Sequence, residues 1–149
     1  MNTSAPATSD TTQATIENTK VSDVQRMGFL PTYFGPHLML HGEQAVYSWM
    51  RHIAPDYTGG LWEFYELSNG GFYMGIEHER FDVFVPGNGF EGNMSGDAAG
   101  IVATIFALDN IISQLYETFD VDYLVEHKYR LIDFSRSHPE AAMITAAID

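Results

Sequence analysis

Two short aromatic-rich runs, Leu61 to Leu67 (LWEFYEL) and Phe72 to Glu77 (FYMGIE), stand on either side of Ser68-Asn69-Gly70-Gly71. This is the tightest constraint on what the chain can fold into. Asn-Gly between such runs is the strongest local hairpin signal, because a type I′ turn needs φ > 0 at both central residues. A third run, Phe81 to Val85 (FDVFV), follows the polar His78-Glu79-Arg80, and Gly87-Asn88-Gly89 marks another turn before Phe90 to Met94. The pattern predicts an antiparallel meander of three or four strands. Trp62, Phe64, Tyr65, Phe72 and Tyr73 are expected in the sheet core rather than on a stacking platform, since aromatic pairs across a hairpin are ordinary stabilisers.

Around the meander the period is helical. Arg26 to Gly35, broken by Pro31 and two glycines, reads as an irregular segment or short helical turn. A helix is expected from about Gly42 to Ala54, where Ala45, Val46, Trp49, Met50 and Ile53 form one apolar stripe and Pro55 stops it. Ser95 is a natural N-cap, with Asp97 in the first turn suiting the helix dipole. Ile101, Ile105, Leu108, Ile112 and Leu115 then continue as a core-facing stripe. Asp120 is placed to cap a second helix, and His138-Pro139-Glu140 to begin a third. Strands bracketed by helices argue α+β: an N-terminal helix and about three C-terminal helices packed on the meander. Residues 1–20 contain only Met1 and Ile16 as bulky aliphatics, too little apolar surface to offset ordering, and are expected as a disordered tail before a single domain over 21–149.

Charge narrows the function. Twenty acids against seven bases give −13, and no cysteine is present. Clustered Lys and Arg are required to neutralise phosphate, so stable nucleic-acid binding and attachment to an anionic membrane are not expected. The longest strongly apolar stretch, Ile101 to Leu108, is short for a bilayer, and the N-terminus has no basic or apolar signal-peptide region. A cytoplasmic acidic protein is the expectation. Thirteen acids and one base, Arg80, lie between His52 and His127, which places −12 of the charge there. A compact chain of this length is about 38 Å across. Duplex DNA of that length carries about 22 charges, far more than −12 spread round a globule puts on one face.

Other motifs carry little chemistry. Gly87-Asn88-Gly89-Phe90-Glu91-Gly92 matches G-x-G-x-x-G, but Phe90-Glu91 starts a strand where a dinucleotide fold needs a helix, so it reads as a hairpin turn. His37 and His41 have i, i+4 spacing, yet Pro36 and Gly42 interrupt a helix there and zinc needs further ligands. Glu63 and Glu66 are three apart in a strand and point to opposite faces. No residue pattern proposes a Ser-His-Asp set, a G-x-S-x-G elbow or H-E-x-x-H. No catalytic, metal or cofactor-binding residue is assigned, and no cofactor is expected.

Several segments closely resemble the ArdB/KlcA family of antirestriction proteins. They include Gln25-Arg26-Met27, Phe29-Leu30-Pro31, Tyr47-Ser48-Trp49-Met50, Pro55-Asp56-Tyr57, Gly60 to Met74 and Asn88-Gly89-Phe90. Asp97 to Leu108, His138 to Ala142 and Ala147-Ile148-Asp149 complete the likeness, which covers about Val21 to the end and is weaker between Ser113 and Arg136. The resemblance implies a small α+β protein of plasmids or genomic islands that protects incoming DNA from type I restriction enzymes while sparing methylation. The partner it implies is the type I restriction-modification machinery, reached directly or through another host factor. The family supplies no catalytic residues to carry over, so a non-enzymatic inhibitor acting by protein contact is expected. The acids Asp109, Glu117, Asp120, Asp122 and Glu126 form its candidate interaction surface. Two alternatives remain: an acidic DNA-mimic decoy, and a small enzyme with a distributed site around His37, His41 and the hairpin acids.

Overall fold

The computed structural model describes residues 15–149. The expected hairpin is present: β2 (Trp62–Leu67) pairs antiparallel with β3 (Phe72–Ile76), Trp62 opposite Ile76 and Glu66 opposite Phe72. Its turn is not type I′. Only Gly70 there has positive φ, 90°, and its N–H donates to the Leu67 carbonyl at 2.9 Å while Leu67 N–H donates to Gly71. This is a type I turn closed by a left-handed glycine. The Asn69 side chain explains the choice: it accepts the Gly71 N–H at 3.0 Å and donates to the Arg130 carbonyl at 3.0 Å, tying the turn to a later helix.

The tail expectation needs correcting at its end. Asn18–Lys20 form β1, paired antiparallel with β2 so that Thr19 faces Glu66. Backbone pairing and the Ser68 hydroxyl, which accepts the Glu17 N–H at 2.9 Å, hold this strand without large apolar side chains. The rest of the expected tail, residues 1–14, lies outside the described residues. The strands also divide into two sheets. β1-β2-β3 form one; β4 (Arg80–Val85) and β5 (Phe90–Ser95) form the other. The chain reverses between them at His78, which takes φ 65°.

Arg26–Tyr33 is a helix, α1, rather than an irregular segment. Pro31 removes the donor for the Met27 carbonyl, which is tolerable because Met27 is exposed to solvent. α1 sets Phe29 on Phe64, rings stacked at 4.5 Å, and Tyr33 on Phe72 at 4.8 Å. α2 spans Met39–Ile53 and buries Val46, Met50 and Ile53 as its spacing predicts. The five aromatics of the hairpin are all buried.

α3 (Gly96–Leu115) is the centre of the molecule. Ser95 caps it as expected, its Oγ accepting the Ala98 N–H at 3.0 Å. The single stripe expected for it is too narrow a description, because Gly96 and every residue from Ala98 to Ile105 are buried. α3 is enclosed by α2, β3, α4 (Asp122–Ser135) and α5 (Ala141–Ile148). At 20 residues it is long and apolar enough to cross a bilayer by composition, but protein covers it here.

Its contact with β3 is unusually close. A Cβ on Gly96 would lie 2.2 Å from the Ile76 carbonyl oxygen, and one on Gly100 2.2 Å from that of Met74. One turn on, the Thr104 hydroxyl accepts the Met74 N–H at 3.3 Å and donates to the Gly100 carbonyl at 2.7 Å. The helix thus covers the free edge of β3. Gly100→Ala is expected to destabilise by about 2–4 kcal/mol, since the carbonyl has no room to retreat. Gly28→Ala, in the exposed α1 with nothing within 4 Å, is expected to stabilise by up to about 1 kcal/mol. Urea unfolding of both variants tests this reversal of sign.

Candidate interaction surface

The five candidate acids all lie along the second half of α3, the connection after it and the first turns of α4. The structure divides them. Asp109 on α3 is bound by Lys128 of α4 at 2.6 Å, and Glu126 by Arg130 one turn on at 3.3 Å. Asp120 does not cap α4 from the N-cap position, which belongs to Val121; its Oδ1 accepts the Asp122 N–H at 3.1 Å instead. Glu117, Asp120 and Asp122 are exposed, and among the described residues they make no ion pair. Elsewhere, Glu63 is held by Arg26 at 3.1 Å and Glu77 by Lys20 at 2.9 Å. The acids of the central stretch are therefore distributed over several elements and partly neutralised, unlike a DNA-like charge array.

The histidine and hairpin acids proposed as a distributed site are not brought together. His37 precedes α2 and is exposed, while His41 lines a groove between α2 and α3 with Gln44, Asn110 and Gln114. Glu63 faces Arg26, whose second amine donates to the Trp62 carbonyl at 2.8 Å. Glu66 accepts the Tyr33 hydroxyl at 2.8 Å.

A half-buried polar ring that sequence reasoning missed joins the start of α3 to the turn before α5. Asp97 accepts the Tyr73 hydroxyl at 2.9 Å through one oxygen and His138 Nε2–H at 2.8 Å through the other. His138 Nδ1 accepts the Glu140 N–H at 3.0 Å, which puts the ring proton on Nε2. The Glu140 carboxylate closes the circuit, accepting the Ser95 N–H at 2.9 Å and the Ser95 hydroxyl. Tyr73 also accepts from the Asn18 amide at 2.8 Å, so β1 joins the set. Burial and the Asp97 charge push the Tyr73 phenol well above its usual range, keeping it a donor.

Serine, histidine and aspartate thus meet, but not as a nucleophile and its base. Ser95 Oγ bonds Glu140 and the Ala98 N–H, both His138 nitrogens are occupied, and the His138 side chain is 7% exposed. The ring fastens elements together. The only sequence signal for it is the Ser95 cap with Asp97 beside it; His138 and Glu140 come from 40 residues or more away. Asn88 does similar work in the glycine-rich turn, donating to the Ala147 carbonyl at 2.9 Å at the end of α5. Gly87-Asn88-Gly89 is a hairpin turn, as read from the sequence.

A family model described as "Antirestriction protein" matches residues 55–149. The chain belongs to the antirestriction protein family. Two Escherichia coli proteins named antirestriction protein KlcA support the assignment. One is 51% identical over 134 residues (88% of this chain, 92% of its own length) and the other 48% over 130 (87% and 92%). A putative antirestriction protein YubI of E. coli K12 is 33% identical over 132 residues, covering 87% of this chain and 93% of its own. A solved KlcA/ArdB structure superposes with a TM-score of 0.87 at 46% identity, covering 95% of this chain and all of that one. It is described as a novel fold with antirestriction activity against type I DNA restriction systems in vivo but not in vitro. The α+β architecture of this antirestriction protein is therefore that of its relatives.

Two measurements test the site's physical chemistry. Asp97→Ala removes both carboxylate acceptors and leaves the Tyr73 hydroxyl and the His138 Nε2–H without one, with an expected loss of about 2–3 kcal/mol in chemical unfolding. His127 on α4 sets its ring edge-on to Phe72 and Tyr33 at 5.3 and 5.5 Å, with a buried Nδ1 lacking a hydrogen-bond partner. Burial, with Arg130 nearby, lowers its pKa, against a smaller opposing pull from Glu126. The unfolded chain takes up that proton near pH 6.5 while the folded one resists it, so stability is full above about pH 6.5 and falls as pH drops below it. The fall in thermal midpoint between pH 7.5 and 5.5 is expected to shrink in His127→Gln.

Proposed function

We propose that this antirestriction protein relieves type I restriction in the cytoplasm by protein–protein contact rather than by catalysis, leaving methylation in place. The observation that carries this reading is the closed hydrogen bonding of the half-buried ring. Its Ser95, Asp97, His138 and Glu140 are the side chains best suited to acid–base or nucleophilic work, and their polar atoms are taken up by bonds that hold the fold. What the chain offers to other molecules is surface. That the solved relative acts in vivo but not in vitro supports a route that includes a cellular component besides the purified restriction enzyme.

Expression in a host with a type I system is expected to raise the plating efficiency of unmodified phage. Progeny phage from those plaques are expected to plate fully on a second restricting lawn, because they have been methylated. No rise across several type I families rejects the function, and poorly plating progeny reject the sparing of methylation. Purified protein added to purified type I enzyme is expected to leave DNA cleavage unchanged.

A further inference from the structure

Exposed aromatic side chains gather at one corner of the fold. Where α3 gives way to α4 the chain reads Tyr116-Glu-Thr-Phe-Asp-Val-Asp-Tyr123, and Tyr116 is 62% exposed, Phe119 51% and Tyr123 36%. Burying a large apolar side chain is worth about 1.5–3 kcal/mol, so leaving Phe119 half in water forgoes much of that gain. Such grouped exposure marks contact surfaces, and aromatic residues dominate the energetics of protein interfaces. The corner is held in place, because the Tyr123 hydroxyl donates to the Phe34 carbonyl at 2.7 Å and the Phe119 N–H to the Leu115 carbonyl at 2.9 Å. Between the aromatics stand Glu117, Asp120 and Asp122, unpaired among the described residues, whereas Asp109 and Glu126 are already matched by Lys128 and Arg130.

We propose that this corner docks a basic segment of a partner protein, with Tyr116 and Phe119 as apolar anchors and Glu117, Asp120 and Asp122 as counter-charges. The proposal rests on the reading that the chain acts by protein contact. The sign of the charge selects the occupant. Nucleic acid is repelled, and a second copy of this chain would set the same carboxylates against one another across a two-fold contact, within the Debye length of about 8 Å. Lys and Arg suit both components, since their stems lie on aromatic rings while their heads reach carboxylates. This fold already contains one such arrangement: the Arg26 guanidinium sits 4.4 Å from the Phe64 ring centroid and 3.1 Å from Glu63.

The test is an NMR titration of the labelled full chain with three probes: a peptide of alternating Arg and Leu, its Glu-Leu counterpart, and a short DNA duplex. Only the Arg-Leu peptide is expected to bind, shifting amides of residues 116–123 more than those around Asp82 and Glu91 on the other sheet. Tyr116→Ser/Phe119→Ser is expected to weaken that binding by about tenfold or more. Glu117→Gln/Asp120→Asn/Asp122→Asn is expected to remove most of its salt dependence. Equal shifts over every acidic surface, binding of the duplex, self-association through the corner, or unchanged affinity in the aromatic variant each overturn the proposal. Should that variant fail to fold, Asp120→Lys/Asp122→Lys must weaken binding at least as much, or the proposal falls. In restricting cells the aromatic variant is expected to lose phage protection at an unchanged thermal midpoint, while Asp82→Asn/Glu91→Gln keeps it. If the parent chain gives no protection the functional reading fails, and the peptide titration alone decides the surface.

Discussion

The fold turns on the edge of β3. A strand edge presents unpaired N–H and C=O groups, and proteins must cover it or blunt it. Here α3 lies against it, with Gly96 and Gly100 admitting the Ile76 and Met74 carbonyls and Thr104 answering the Met74 N–H. The approach is available only to residues without a side chain or with a short polar one. It fixes the helix both in rotation and along its axis, and the remaining elements dock on what is left of its surface.

The half-buried ring completes that arrangement. β3 supplies Tyr73, the first turn of α3 supplies Asp97, and the turn before α5 supplies His138 and Glu140. Tyr73 is also stacked between Tyr65 at 4.6 Å and Phe134 at 5.6 Å, so the polar connection sits inside aromatic packing. Low local polarity strengthens such bonds and makes each one costly to lose. The same residue types that build active sites elsewhere serve here to register a helix against a sheet.

The legible parts of the fold were those whose cause is local. The aromatic hairpin, the Ser95 cap and the Val46, Met50 and Ile53 stripe of α2 depend on neighbours a few residues apart, and each is where the sequence pattern puts it. β1 was hidden because its partners, Glu66 and Ser68, are about 50 residues away and its own side chains are polar. The turn at Asn69 took another form because Arg130, on a distant helix, competes for its side chain. α1 was obscured by Pro31 and Gly28, whose breaking effect is outweighed by Phe29 and Tyr33 packing on the hairpin. For the surface, charge density was visible in the sequence, but not which acids Lys128 and Arg130 would answer. Nor was the exposure of Tyr116 and Phe119, since an aromatic residue is read first as core.

The burial of the first half of α3 on all its faces bears on how the chain is made. This helix leaves the ribosome before α4 and α5, which pack against it, and before His138 and Glu140, which lock its first turn. Until they emerge, a 20-residue apolar helix stands partly bare beside an open strand edge. Such surfaces recruit chaperones and drive misassembly during synthesis. The arrangement that makes the finished protein compact therefore makes its unfinished form sticky, so its yield in a cell depends on how quickly the C-terminal helices follow.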